Sequence, residues 1–328
     1  YGRKSPGADR GDRLRLRYSV VRNELCRDLL VKLALLRSSQ IQKDLANRFA
    51  VRTQVLALAA RTRYAGGKGS LAEVALIGVR QARYQERAAE QAGEENALLA
   101  ELAYLTTGGN LKEWLARTGE LTPYAQKVAK SLGKPALERA PAVQLAVLEE
   151  KASKAEQTLA RLDYAPDFAL FAGLKDETLR RQAFQAGEMR EQSYSVGLSL
   201  RVPLWTALSN HQNTKASQEN RAAAASRHEE TLSRIKQSLM AAQARIQSIA
   251  SRRNLYKSSL LPQARAARES ALVAYEVGRQ DFASLLNTWD TLYELENEAA
   301  MLEAQEQQII FEQAAMLGLF TEETDEIR

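Results

Sequence analysis

The chain has few of the side chains on which catalysis and metal binding depend. Its 328 residues include one cysteine, two histidines and four methionines. The histidines, His211 and His228, lie apart, and the sequence has no CxxC or HExxH spacing, no nucleophile constellation and no phosphate-binding loop. Cys26 can form no disulfide within the chain and is expected to be a small buried side chain. We therefore expect no catalytic residue, no metal and no cofactor, so that the protein is not an enzyme.

Helix-breaking residues and aromatics are also scarce. The 7 prolines, 17 glycines and 6% aromatic content are low for a compact mixed fold. Ala, Leu, Glu, Gln and Arg dominate, and because these residues favour helices, the sequence predicts a mainly α protein. No apolar run approaches the ~20 residues that a helix needs to cross a bilayer. The 46 Lys and Arg against 40 Asp and Glu give a net charge of +6 that is spread along the chain, which argues against a nucleic-acid partner.

One short pattern occurs twice, between long helical stretches. The first copy is Tyr64-Ala65-Gly66-Gly67-Lys68-Gly69-Ser70-Leu71, and the second, 211 positions later, is Tyr275-Glu276-Val277-Gly278-Arg279-Gln280-Asp281-Phe282. Each copy has a glycine that can end a helix and, three residues later, an N-cap oxygen that can begin the next. Ser70-Leu71-Ala72-Glu73 also fits a capping box. The repeat predicts two antiparallel helical hairpins in a duplicated architecture.

The helices around these turns are predicted to be unusually long. About 70 residues from Thr206 to Tyr275 contain no glycine and one proline, Pro262, which at ~1.5 Å per residue gives a rod of roughly 100 Å. Only a coiled-coil or tubular assembly gives such a rod something to pack against. Pro262 should kink it or interrupt its hydrogen bonding. Return helices are expected from Ser70 to about Gly108 and from Asp281 to about Gly318.

One segment changes to the two-residue period of a strand. An alternating run between Tyr194 and Leu204 has one oily and one polar face, and Phe168 to Leu174 is a plausible partner across the polar stretch from Lys175 to Ser193. The residues on the oily face are Tyr194, Val196, Leu198, Leu200 and Val202. If this face meets lipid, the strands must close into a barrel, because hydrocarbon offers backbone groups no partners. One chain supplies too few strands, so several chains must contribute.

Four further regions complete the sequence. Leucine and arginine alternate from Arg13 to Val20, which suggests a short strand with a basic face. Residues 110–140 contain several glycines and prolines and are expected to form short irregular pieces. A further helix is expected from about Ala142 to Leu162. Residues 321–328 form a polar, mostly acidic tail.

These features together resemble the outer membrane efflux protein family, the TolC-like exit ducts. The resemblance rests on the Tyr-x-x-Gly-x-x-Ser/Asp pattern at each turn, on Pro203-Leu204 after the second strand and on Ala165-Pro166-Asp167 before the first. It extends from about Val20 to Gly318. The stretches around Arg13-Leu14-Arg15 and Arg139-Ala140-Pro141 look closest to the heavy-metal efflux branch. The family's first strand pair and earliest helix are absent or abbreviated in this sequence.

The resemblance implies a fold class and a domain organisation. The fold class is mainly α with a small β part, in which long antiparallel helical hairpins form a trimeric α-barrel tunnel and strands contribute to a shared outer-membrane β-barrel. The predicted domains are an N-terminal remnant with a short strand (1–20), the first helical hairpin (21–109) with its turn near 64–70, an irregular and helical segment (110–163), a transmembrane strand hairpin (164–205), the second helical hairpin (206–320) with its turn near 275–281, and the tail (321–328).

The resemblance also implies partners and functional residues. The protein would be a homotrimer in the outer membrane of a Gram-negative bacterium, in contact with its lipid and extending into the periplasm. It would act as the passive exit duct of a tripartite efflux or type I secretion system, with a periplasmic membrane fusion adaptor and an inner-membrane transporter, for example of the RND type. The adaptor would dock on Tyr64, Gly66, Gly67, Lys68, Ser70, Tyr275, Val277, Gly278, Arg279 and Asp281.

The gate is where the sequence departs from the family pattern. Many members carry aspartates on the first turns after the second tip, where this chain has Ser284 and Asn287. Glu73 and Asp290 are the remaining acidic gate candidates, and we expect them to be solvated or in interhelical pairs rather than catalytic. The alternative to the exit duct is a soluble coiled-coil scaffold or periplasmic adaptor, in which the alternating segment is an ordinary sheet edge.

Overall fold

Long helices account for most of the structure. The computed structural model describes residues 6–106, 121–132, 137–162, 167–179, 189–201 and 207–320. The helices are α1 (Pro6–Ala65), α2 (Leu71–Leu105), α3 (Leu121–Ser131), α4 (Pro141–Leu162), α5 (Ala207–Leu255), α6 (Leu261–Glu276) and α7 (Phe282–Met316). A short 3₁₀ turn covers Leu137–Arg139, and two strands, β1 (Asp167–Leu179) and β2 (Met189–Arg201), pair with each other. Among the described helices, none is both long and apolar enough to cross a membrane.

The N-terminal segment is helical, so the predicted strand between Arg13 and Val20 is wrong. This segment lies inside α1, which continues for 60 residues to Ala65. Leucine and arginine both favour helices, and the apolar residues Leu14, Tyr18 and Val21 also recur at steps of four and three, as on one helix face. The amide of Asn23 donates to the carbonyl of Ser19 at 2.7 Å, as suits a helix. The run was too short for its two-residue period to decide the structure.

The described residues include part of the predicted irregular segment and none of the predicted tail. Residues 110–140 were expected to form short irregular pieces, but residues 121–131 form the regular helix α3. Residues 107–120 and 133–136 lie outside the described residues. The tail, residues 321–328, lies outside them too. The helix expected from about Ala142 to Leu162 is present as α4.

Pro262 interrupts the long helical stretch, as expected. A π-helical turn, Tyr256–Leu260, separates α5 from α6, and Pro262 lies in the first turn of α6. Proline lacks an N–H group, and its ring clashes with the carbonyl four residues earlier, which here belongs to Ser258. The backbone responds by widening, so that the N–H of Leu261 donates to the carbonyl of Tyr256, five residues back. The chain is therefore helical from Ala207 to Glu276 with one local defect.

The chain divides into two compact units, of which the first is Tyr1–Gln144 with Leu232–Arg328. In this unit α1 packs against α2 and α7, and α6 packs against α7. The two helical hairpins thus share one apolar core. A second cluster lies further along the same helices, where α3 packs against α7. Its members include Leu33, Leu36, Leu98, Leu102, Leu121, Ile310, Phe311 and Phe320.

An aromatic cluster forms the centre of the shared core. The ring of Phe49 on α1 is fully buried, and its centroid lies 5.5 Å from that of Tyr84 on α2. On α7, Trp289 and Tyr293 meet the same ring at 5.9 and 5.3 Å in edge-to-face geometry. Such pairs add specific attraction to the burial of apolar area. One side chain therefore ties the first hairpin to the second.

Charge is divided unequally among the packed helices. Helix α7 carries seven Asp and Glu and no Lys or Arg. Its carboxylates pair with arginines of three neighbouring helices: Asp290 with Arg80 of α2, Glu298 with Arg252 and Glu306 with Arg253 of α5, and Glu296 with Arg265 of α6. Because most of these pairs are partly exposed, each contributes little stability. They do discriminate against packings that would leave α7 beside another acidic helix.

The second unit, Leu145–Thr231, contains the strand hairpin. Strands β1 and β2 are antiparallel, with Phe168 opposite Leu200, Leu170 opposite Leu198 and Leu174 opposite Tyr194. The predicted strand pair is confirmed, although pairing continues through Leu179 and Met189, into the predicted loop. Helices α4 and α5 are joined within this unit by a 2.9 Å contact between His228 Nδ1 and a carboxylate oxygen of Glu150, and by a hydrogen bond from Arg221 to Gln157.

One face of the strand hairpin is apolar and exposed. Residues directly opposite each other in an antiparallel pair point to the same face, so the register gathers the alternating residues of both strands. The described members of this apolar face are Phe168, Leu170, Ala172, Leu174, Tyr194, Val196, Leu198 and Leu200. Seven of these eight side chains are large, and those seven are all exposed. Val202, predicted on the same face, lies outside the described residues.

Removing the Phe49 ring should destabilise the first unit strongly. We expect Phe49→Ala to cost about 3–5 kcal/mol, because it leaves a cavity where three other aromatic rings meet. Tyr104→Ala is the matched control, since Tyr104 is also aromatic but is 83% exposed. Thermal unfolding followed by circular dichroism would measure both. Equal shifts of the melting temperature in the two variants would contradict this account of the core.

Candidate functional site

The two copies of the repeated pattern fold into the same backbone turn. At the end of α1, the N–H of Gly67 donates to the carbonyl of Tyr64 at 3.0 Å and that of Lys68 to the carbonyl of Arg63 at 2.9 Å. At the end of α6, Gly278 and Arg279 repeat these bonds at 3.0 and 2.8 Å. The two glycines have φ of 68° and 73°, which residues with a Cβ rarely adopt. The glycines expected to end the helices therefore do so.

The N-cap oxygens are also where the sequence predicts them. Ser70 Oγ accepts a hydrogen bond from the N–H of Glu73 at 3.2 Å, the serine half of the expected capping box. The carboxylate of Asp281 accepts one from the N–H of Ser284 at 3.3 Å. Hydrogen bonds from the side chain of Ser284 and from backbone N–H groups hold the pKa of Asp281 below its ordinary value. Asp281 therefore carries a negative charge at the positive end of α7.

The two copies differ in burial, although their backbones match. Tyr275 is 7% exposed and packs on Phe282, with ring centroids 5.2 Å apart. Its counterpart Tyr64 is 48% exposed, and Leu71, the counterpart of the buried Phe282, is 62% exposed. The aromatic side chains of the second turn are therefore buried in the helical bundle. The first turn presents the equivalent positions to the surface.

Tyr275 is part of the contact between the hairpins. The guanidinium of Arg63 lies 4.7 Å from the centre of its ring, and its hydroxyl donates to Glu73 at 3.3 Å. Burial raises the pKa of Tyr275, and the nearby Glu73 carboxylate raises it further. These contacts bring the two turns together at one end of the first unit. They also leave Tyr275 little surface for a partner molecule.

The remaining predicted docking residues, together with Leu71, form an exposed surface, here named the tip surface. Its members are Tyr64, Gly66, Gly67, Lys68, Ser70, Leu71, Val277, Gly278, Arg279 and Asp281, all of them exposed. Lys68 and Arg279 make no ion pair within the part of the chain that the structure describes. The tip surface therefore combines free positive charge with apolar side chains, and it exposes backbone where the glycines lie.

The acidic gate candidates are engaged in contacts between helices. Asp290 forms an ion pair with Arg80 at 2.7 Å and accepts a hydrogen bond from the hydroxyl of Tyr84 at 2.8 Å. Burial, followed by this hydrogen bond, raises the pKa of Tyr84 above its ordinary value. Glu73 accepts from Tyr275. Both carboxylates therefore make contacts between helices, Asp290 as an ion pair and Glu73 as a hydrogen-bond acceptor. Their role in a gate stays a prediction.

The two uncharged gate candidates lie on the first turns of α7. Ser284 is partly exposed and donates its N–H to Asp281, while Asn287 is exposed and its carbonyl accepts from Thr291. Within the described residues, no group of three His, Cys, Asp or Glu side chains is placed to hold a metal ion. The polar side chains nearest the second turn therefore belong to the residues that begin α7.

Arg63, Arg80 and Tyr84 are not among the site residues predicted from the sequence. Arg80 and Tyr84 are four residues apart on α2, so they lie on one helix face and can reach the same carboxylate. Nothing local marks Asp290 as their partner, because it lies 206 positions beyond Tyr84. Only the packing of the two hairpins brings these residues together.

Comparison with known proteins identifies the fold. No family model matches the sequence, and no curated protein is significantly similar to it. Solved structures do match: the outer membrane protein VceC from Vibrio cholerae has a TM-score of 0.79 at 15% identity, over 95% of this chain and 74% of its own. CusC, described for its folding and transmembrane channel formation, gives 0.76 at 14% identity, covering 94% and 73%. The outer-membrane channel OprN gives 0.74 at 18%, covering 94% and 68%.

These likenesses bear out the predicted fold class. The chain has the fold of outer membrane channels, mainly α with a small β part and with long antiparallel helical hairpins. The identities, between 14% and 18% for these three proteins, do not favour one branch of the channels over another. The heavy-metal branch stays a prediction.

The left-handed glycines give a sharp test of the turn. Gly67→Ala should destabilise the protein by roughly 1–2 kcal/mol, because a Cβ is strained at positive φ. Gly66→Ala is the matched control, since Gly66 is next in sequence and an added Cβ would make only an ordinary contact, 3.5 Å from the carbonyl of Thr62. Thermal unfolding of the two variants would be compared. A larger loss for Gly66→Ala would mean that the turn is assigned incorrectly.

Proposed function

We propose that this protein is an outer membrane channel, the passive exit duct of a tripartite efflux or type I secretion system. The observation that carries the proposal is the fold, which pairs two long helical hairpins with a strand hairpin and superposes on outer membrane channels over nearly all of this chain. The duct would supply a path across the outer membrane and a gate. It would perform no catalysis, and an inner-membrane transporter would supply the energy.

The strand hairpin supports a place in the outer membrane. Two strands with one broad, exposed apolar face cannot bury that face by themselves. Strands β1 and β2 have 13 residues each, which is more than the roughly 9–11 residues that a tilted strand needs to cross the hydrocarbon core of a bilayer. Lipid on this face and strands from other protomers at the edges would satisfy both the side chains and the backbone.

The surface of α1 supports assembly with further copies. Exposed large apolar residues recur on it at steps of four and three, first at Leu14, Tyr18, Val21 and Leu25, and again at Val51, Val55 and Leu58. This spacing is typical of the seam between helices of a coiled coil. We propose that neighbouring protomers cover these seams in a homotrimer, whose helices enclose the periplasmic tunnel.

The tip surface is the proposed docking site for a periplasmic membrane fusion adaptor. It lies where both hairpins turn, and its apolar residues and unpaired cations are available to a partner. Tyr275 belongs to the predicted docking set, but we propose that it supports the site from beneath, because it is buried. Opening of the gate would then separate contacts such as those that Asp290 makes with Arg80 and Tyr84.

The alternative of a soluble coiled-coil scaffold or periplasmic adaptor leaves the apolar strand face unexplained. An exposed contiguous apolar patch marks a membrane or protein contact. Cell fractionation and reconstitution separate the two functions. An outer membrane duct should appear in the outer membrane fraction, need detergent to stay monodisperse, and conduct ions as a trimer in planar bilayers. A monodisperse protein in plain buffer, without conductance, would overturn the proposal.

Reversing charge on the tip surface should abolish export. We expect cells that carry the double variant Lys68→Glu with Arg279→Glu to lose resistance to the exported compound, because both unpaired cations would repel what they now attract. Lys127→Glu is the control, since Lys127 is an exposed lysine on α3. Immunoblots of outer membrane fractions should find all variants at wild-type amounts. Full resistance in the double variant would contradict docking at this surface.

A further inference from the structure

The middle of the second face of the strand hairpin, from Ala169 to Gly173 on β1 and from Ser195 to Ser199 on β2, is lined by small side chains with one large apolar exception; by register, Lys175 lies on the same face. By the pairing register, the described residues on this face include Ala169, Phe171 and Gly173 of β1 and Ser195, Gly197 and Ser199 of β2. Here it is named the polar face. Among its described side chains, Phe171 is the single large apolar one.

Phe171 lies against the neighbouring strand. It pairs with Gly197, and its ring occupies the space above that glycine, since a Cβ built on Gly197 would lie 2.4 Å from Cζ of Phe171. An aromatic ring placed in this way shields the strand backbone that the glycine leaves open. The ring remains 53% exposed. Phe171 therefore both covers Gly197 and presents apolar surface on the polar face.

The position of Phe171 follows from the proposed function. If the apolar face of the hairpin meets lipid, the polar face lines the water-filled interior of the barrel, because strand side chains alternate between the two sides. Three protomers would then place three Phe171 rings at one level of the pore. The residues around them, such as Ser195 and Ser199, have short side chains, so that a passing solute can reach the rings.

We propose that Phe171 is a contact site for aromatic solutes in the lumen of the barrel, and this inference rests on the proposed function. An exposed ring offers stacking and edge-to-face contact to a planar aromatic solute. The serine hydroxyls and glycine backbone beside it offer only hydrogen bonds, which water satisfies equally well. The site therefore selects aromatic over aliphatic solutes of the same charge.

Blocking of the channel current in planar bilayers tests this inference with the full-length protein. The probes are tetraphenylphosphonium, which is aromatic, and tetrabutylammonium, an aliphatic cation of the same charge. Wild-type channels should be blocked at lower concentrations by the aromatic probe. Phe171→Ser should raise the blocking concentration of that probe by about two- to tenfold, the loss of one aromatic contact, and leave that of the aliphatic probe unchanged.

Phe168→Ser is the matched control. Phe168 lies on the same strand, three residues earlier, and therefore on the apolar face. Its replacement should leave block by both probes unchanged in the channels that form. Phe171→Leu keeps the apolar volume and removes the aromatic ring, so it should lose the preference for the aromatic probe even if the serine variant does not assemble.

Two outcomes would overturn the inference. Unchanged aromatic block in both Phe171→Ser and Phe171→Leu would mean that the ring does not contact the solute. A loss of aromatic block in Phe168→Ser would mean that the other face lines the pore. Absence of any conductance in the wild-type protein would instead contradict the proposed channel function, so the two failures are distinguishable.

Discussion

Contact between the two helical hairpins through the Phe49 cluster is the interaction on which the rest of the first unit depends. Most of the stability of helices in proteins comes from packing of an apolar face, so α1 and α7 need apolar partners along their length. Phe49 supplies the centre of that contact, because its ring meets Tyr84 of the first hairpin and both Trp289 and Tyr293 of the second. The tip surface depends on the Phe49 cluster, because the two turns directly follow or precede helices that this cluster holds together.

Polar contacts surround this apolar centre and determine how the helices pair. The acidic α7 receives arginines from α2, α5 and α6, while Tyr275 joins Glu73 and Arg63 near the turns. Contacts of this kind add modest stability, but they disfavour other arrangements of the same helices. A helical protein with several similar amphipathic segments needs such discrimination, because apolar packing alone is weakly selective.

Sequence reasoning succeeded where a local rule decides the structure. A glycine at positive φ followed by an N-cap oxygen marks a helix end and a helix start, and both turns have this geometry. Strict alternation over the Tyr194 strand was long enough to be decisive. The shorter Leu and Arg alternation before Val20 was not, because the same residues also fit a helix face and favour a helix. Strand ends were also underestimated, since backbone pairing continues through polar residues that carry no apolar pattern.

The amino-acid sequence by itself determined the turns, the long helices, the proline defect at Pro262 and the two faces of the strand hairpin. Each of these depends on backbone conformation or on residues a few positions apart. Only the tertiary structure decided that Tyr275 is buried while Tyr64 is exposed, that Asp290 pairs with Arg80 and Tyr84, and that Phe171 covers Gly197. Those outcomes depend on contacts between segments that are distant in the chain, up to 210 positions for Arg80 and Asp290. Two copies of one local pattern can therefore lie in different environments, because the packing of distant helices decides which copy faces the core.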